Sequence, residues 1–146
     1  MRKYLFVVLL AGMLAGCGGK SESEKAKEAA AGSGRGTVTC EGSAMSGETG
    51  LPADFPEIDG MTFVKEAEAG PTKVLDGYAT RSLEEVYDEL NRRFESAGYT
   101  ILFHEREGDE DAEISYKTSD GATTGQVALR NCDADKTSVH ITNRPS

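Results

Sequence analysis

The chain has 146 residues and a formal net charge of −9, from 25 acidic and 16 basic side chains. An acidic balance of that size argues against nucleic acid as a partner and against direct adhesion to anionic lipid headgroups. The length suits one ordinary domain with accessory segments, and is too short for two comfortable cores.

Arg2 and Lys3 form a basic start, and Tyr4 to Leu14 form an apolar run behind it. A helix rising 1.5 Å per residue needs about 20 apolar residues to cross a hydrocarbon core, so this run reads as an export signal rather than a span. It ends in Leu14-Ala15-Gly16-Cys17. That tetrapeptide resembles the lipobox of bacterial lipoproteins. The resemblance implies that residues 1–16 are removed, that Cys17 receives a diacylglyceryl group, and that its new amino terminus is acylated, typically by palmitate. Two or more chains give stable anchoring, since each buried CH₂ contributes about 0.8 kcal/mol. Family members kept in an inner membrane usually carry Asp after the cysteine; Gly18 stands there instead. This favours an outer membrane where there is one, and otherwise the outer face of the cell membrane. An ordinary cleaved signal with a free Cys17 thiol is the alternative.

Cys17 and residues 18–36 form a polar, low-complexity tether with no apolar face to bury. As a coil its span is about 20–25 Å. Gly19-Lys20-Ser21 imitates the end of a phosphate-binding loop, but the earlier glycine of that motif would fall at Leu14. With Cys17 lipidated, Cys40 and Cys132 remain, and in an exported protein they are expected to form a disulfide. A metal or redox pair would call for CxxC spacing or a histidine cluster, and neither is present.

Residues 37–146 are expected to form a single α+β domain. Thr37 to Cys40 has β character, Glu41 to Gly50 reads as a loop, and Leu51 to Gly60 is extended by its prolines. Strands are expected at Met61–Lys65 and Thr72–Thr80, the second with a bulge at Asp76-Gly77. A helix is predicted from Ser82 to Ala97, where Leu83, Val86, Tyr87, Leu90, Phe94 and Ala97 share a face. Ser82 with Glu85 reads as a capping box, Gly98 as the C-terminal cap, and Tyr99 as packing back on Phe94. Asp88–Arg92 and Glu89–Arg93 are spaced as ion pairs. Period-two alternation then predicts four strands, on Tyr99/Ile101/Phe103, Ala112/Ile114/Tyr116, Val127/Leu129 and Val139/Ile141. Turn residues at Gly108-Asp109, Asp120-Gly121 and Asp133–Lys136 separate them. The expected architecture is one amphipathic helix on an antiparallel sheet of about five to six strands.

The series Pro52, Phe55-Pro56, Gly60, Ser82-Leu83-Glu84-Glu85-Val86-Tyr87 and Ala97-Gly98-Tyr99 resembles an uncharacterised module of bacterial exported proteins and lipoproteins. Residues 51–103 carry the likeness, although Glu57-Ile58-Asp59-Gly60 replaces the Tyr-Pro-Gly common at its entry. The pattern is also similar to the helix-on-sheet domains of the lipoprotein in the outer-membrane barrel-assembly machinery. Neither resemblance implies roles for particular residues.

For chemistry, His104 and His140 each fall one step out of phase with the apolar set, so both are expected on the face away from the helix. Together they could bind a metal or serve a small hydrolase. The acidic run from Glu105 to Glu113 lacks the spacing of a calcium loop and reads as a solvated hairpin tip. Met45, Phe55, Ile58 and Met61 could line a groove beside the helix or cap the core edge. The leading expectation is a membrane-anchored, non-enzymatic envelope module that uses no cofactor and binds a ligand or an envelope protein. One route is an exposed strand edge near Thr37 or Val139. An envelope spacer is the bland alternative.

Overall fold

The computed structural model describes residues 38–146. The signal, Cys17, the tether and Thr37 lie outside the described residues. The elements are β1 (Met61–Ala69), β2 (Thr72–Ala79), α1 (Leu83–Ser96), β3 (Thr100–Glu107), β4 (Asp111–Lys117), β5 (Thr123–Asp133) and β6 (Lys136–Pro145). The six strands form one sheet in the order β1-β2-β6-β5-β4-β3, antiparallel throughout. This is the expected α+β class.

Four antiparallel steps separate β2 from β3, so the two run in the same direction. Their connection must cross the sheet, and α1 makes that crossing. Its first turn holds the capping box: Glu85 N–H donates to Ser82 Oγ at 3.4 Å, and Ser82 N–H donates to Glu85 Oε2 at 3.3 Å. Gly98 follows with φ +76°, a backbone that glycine adopts without steric cost, and Tyr99 N–H closes on the Phe94 carbonyl at 2.9 Å. Leu83, Val86, Leu90 and Phe94 are buried against the sheet. Each contributes about 1.5–3 kcal/mol on leaving water. Glu89 pairs with Arg93 at 2.7 Å and also with Arg81. The Asp88–Arg92 pair is not among the ion pairs of the described residues.

The sheet supplies Leu75, Ala112, Ile114, Val127, Leu129 and Ile141 to the same core. At its lower end four rings meet. Phe94 lies 4.7 Å from Tyr116, 5.3 Å from Tyr99 and 5.5 Å from Phe55 between centroids. Phe55 and Ile58 are buried while Met45 and Met61 are half-buried against the core, so the first two cap its edge.

Three expectations are corrected. The first bulge lies in β1, between Phe63 and Lys65, not in β2. Gly77 is instead the residue that admits it: a Cβ there would sit 3.1 Å from Phe63 Cα and closer still to the Thr62 carbonyl oxygen. A second bulge falls in β3 between Ile101 and Phe103. The extra residue turns Leu102 and Phe103 out to 57 % and 46 % exposure, and every later side chain of β3 changes face. Third, Val38 to Cys40 carry no strand, and β6 lies inside the sheet between β2 and β5. Val139 therefore offers no free edge; the outer strands are β1 and β3.

Residues 38–45 form a strap over the sheet face away from α1. Cys40 is bonded to Cys132 with Cα atoms 5.8 Å apart, as expected. Thr39 N–H donates to Ser138 Oγ at 2.7 Å, Tyr78 donates its hydroxyl to the Gly42 carbonyl at 3.2 Å, and Met45 N–H donates to the Phe63 carbonyl at 2.8 Å. The strap thus passes from the β5–β6 turn to the β1 edge.

Candidate functional site

The end of the sheet opposite the strap's disulfide holds a cleft of about 560 Å³. One wall is the segment Gly50–Asp54, which is not extended as its prolines suggested but turns after Pro52, where Phe55 N–H donates to the Pro52 carbonyl at 2.9 Å. The other is the β4–β5 hairpin at Thr118–Asp120, with Asn143 and Pro145 of β6 between them. Leu51, Pro52, Pro71 and Pro145 make its apolar surface. The polar groups are fewer and more informative.

Asn143 continues the inward phase of Val139 and Ile141 on β6, and is only 5 % exposed. Its Oδ1 accepts the Tyr116 hydroxyl in a short bond. Its Nδ2 is buried with no hydrogen-bond partner, the single such side-chain atom among the described residues. An unmade bond of this kind costs about 1–3 kcal/mol. Gly125 keeps the arrangement possible, since a Cβ there would meet Asn143 Oδ1 and the Tyr116 hydroxyl well inside contact distance.

The rim carries both signs. Asp54 accepts the Tyr99 hydroxyl at 3.0 Å and the Ser119 hydroxyl at 3.4 Å. Asp120 accepts the Thr118 hydroxyl at 2.7 Å and Ala122 N–H at 2.9 Å, which hold its carboxyl below the usual carboxylate range, the hydroxyl first. Burial pushes the Tyr99 phenol well up, and the Asp54 carboxylate adds to this. Burial does the same for Tyr116, with Tyr99 second. Both phenols therefore stay protonated donors near neutral pH. Opposite stand Lys73, shared between Glu66 at 3.8 Å and Glu68 at 3.7 Å, and Arg144, which joins no ion pair among the described residues.

The two histidines do not meet. The β3 bulge puts His104 on the helix side, where its ring stacks on Tyr87 at 6.2 Å and Nδ1 lies 3.1 Å from the Tyr87 hydroxyl. His140 stays on the far face, with Nδ1 2.6 Å from Asp76 Oδ1. Strands β4 and β5 stand between them, about 14 Å of sheet. A metal or proton relay shared by His104 and His140 is excluded by that separation. No group of three or more metal-ligating side chains occurs among the described residues, the acidic β3–β4 hairpin included. There Arg106 spans from Glu84 at 3.2 Å to Asp109 at 3.7 Å. Cys17, the expected lipidation site, lies outside the described residues, and no helix among them is long and apolar enough to cross a membrane.

Sequence reasoning named Tyr116 only as an inward strand residue and Asp76 only as part of a bulge, and it did not name Asn143. Asn143 had a signal: it is a polar residue in phase with two apolar ones on a buried strand. No family model matches the chain, and no curated protein matches it.

Proposed function

We propose that the chain is a lipoprotein of the bacterial cell envelope, anchored through Cys17, whose domain binds a small ligand in the Asn143 cleft without transforming it. The observation that carries this reading is the buried, partnerless Nδ2 of Asn143 in the floor of a cleft with apolar walls. A ligand oxygen accepting from Nδ2 supplies the missing bond, and a ligand body against the apolar walls strengthens that bond by displacing water around it. The apolar walls suit an aliphatic or flat body. Carboxylates already satisfied by hydroxyls on one rim, with Lys73 and Arg144 on the other, suit a neutral or zwitterionic molecule better than a polyanion.

The cleft also stands clear of the strap. Thr39 and Cys40 are held beside the β5–β6 turn, while the cleft opens at the other end of strands about 30–35 Å long. The test is a titration of the isotope-labelled full chain in micelles with small amides, lactams and zwitterionic amino-acid derivatives. The Asn143 side-chain amide signals are expected to shift and saturate with one of them. Signals that never move while other sites respond would refute the cleft as the site.

A further inference from the structure

The sheet face away from α1 is only half covered. The strap crosses it near the β5–β6 turn, over Ser138 and Tyr78. Below the strap a second cleft of about 620 Å³ lies open among the described residues. Strand register sets its floor, where Ser115 pairs with Gln126, Gln126 with Thr142, and Thr142 with Val74, and it extends the row past the cleft to Phe103, the partner of Ser115. These five side chains form one row across five strands, about 19 Å from end to end at the spacing of neighbouring strands. The row is perpendicular to the strands and carries no charge.

The charged groups beside it are largely spoken for. Glu113 accepts from Gln126 Nε2 at 3.1 Å, Asp111 pairs with Arg130 at 3.3 Å, and Asp76 holds His140 at 2.6 Å. Of the lining residues only His140 and Arg144 are ionisable. What the surface presents is hydroxyls, the free carbonyl of Gln126, and the second nitrogen of His140. A hydroxyl of the ligand satisfies that nitrogen in either tautomer, because it both donates and accepts. At one end the β3 bulge lifts Leu102 and Phe103 into solvent, a paired apolar platform that the core does not use.

We infer that this face binds an extended neutral oligosaccharide, laid across the strands with its apolar ring faces against Phe103 and Leu102 and its hydroxyls on Ser115, Gln126, Thr142 and His140. The inner strands spend their backbone groups on one another, so an added peptide strand finds no partner on this face. A lipid chain would strand the hydroxyl row without hydrogen bonds. A polyanion would meet one cation without an ion pair among the described lining residues, Arg144, on a chain of net charge −9. Neutral, hydroxyl-rich chemistry fits each of these terms, and the inference does not use the Asn143 amide, although the two clefts share Asn143 and Arg144 in their linings.

The test is calorimetric titration of the full chain in phosphocholine micelles with four probes: chitotetraose, cellotetraose, maltotetraose and the anionic tetramer of galacturonate. At least one neutral tetramer is expected to bind saturably. Phe103→Ala and Gln126→Ala are each expected to weaken it tenfold or more, while Arg92→Ala, on the exposed face of α1, leaves it unchanged. No saturable binding of any neutral tetramer, binding of the anionic tetramer alone, or equal affinity in Phe103→Ala and Gln126→Ala would each overturn the proposal. Both substitutions are on half-buried or exposed side chains, and matching circular dichroism spectra confirm that a lost signal reports binding and not unfolding.

Discussion

Replacing both Cys40 and Cys132 by serine removes a link between residues 92 positions apart, so the bond encloses nearly the whole described domain. In the chain-entropy treatment a closed loop of roughly 100 residues restricts the unfolded chain by about 4.7 kcal/mol. The folded strap loses little, because its bonds to Ser138, Tyr78 and Phe63 remain, each contributing about 0.5–1.5 kcal/mol. The expected loss is therefore about 4–5 kcal/mol, a large share of the 5–15 kcal/mol typical of a domain. At roughly 4–8 °C per kcal/mol the melting temperature should fall by more than about 15 °C. Urea titrations followed by circular dichroism measure this directly. The slope should also rise, since the unlinked chain exposes more surface on unfolding. A double variant within about 1 kcal/mol of wild type, or a large loss with no rise in slope, would refute an effect acting through the unfolded state.

Further outcomes follow from the core and the cleft. Phe94→Ala removes the ring that Phe55, Tyr99 and Tyr116 all pack against, and should cost about 3–5 kcal/mol in the same titration. Tyr116→Phe alone leaves both amide groups of Asn143 unpaired and should cost about 1–3 kcal/mol, whereas Tyr116→Phe with Asn143→Leu removes every orphan. The double variant should be more stable than the sum of the singles by at least about 1 kcal/mol in a double-mutant cycle. The hydrogen bond from Arg81 chiefly, and that from Arg93, hold the Glu89 carboxyl below its ordinary 4.5. Its stabilising effect is full above the unfolded value and is lost as pH falls through the lower folded value. Wild type should therefore lose stability below pH 4.5 more steeply than Glu89→Gln, and superimposable acid limbs would contradict the pairing.

The helix was legible almost to the residue, because its signals are local: the Ser82–Glu85 box, the apolar stripe and Gly98 all act within a few positions. The later strands were legible by alternation, and the disulfide by the export that residues 1–17 lead one to expect. The failures share one cause. A bulge changes face without changing composition, so the phase that put Phe103 inward and His104 outward was broken at Leu102, and the bulge assigned to Gly77 belonged to its partner strand. Strand order is a long-range property as well. Nothing near Val139 signals that β2 closes on it from the other side, and for that reason β6 read as an edge. The cleft was half legible: Asn143 breaks an apolar phase on its own strand, but the Tyr116 hydroxyl and the Gly125 gap that define it come from two other strands.

The most direct measurement is a melting-temperature screen of the full chain against neutral and zwitterionic small molecules, run in parallel on wild type and on the Tyr116→Phe, Asn143→Leu double variant. A ligand at 100 times its dissociation constant stabilises by about 2.7 kcal/mol, a shift of many degrees in a domain of this size. Binding at the cleft predicts a compound that raises the wild-type midpoint and leaves the double variant where it was. A midpoint that no compound moves, or one that moves equally in both proteins, would contradict it.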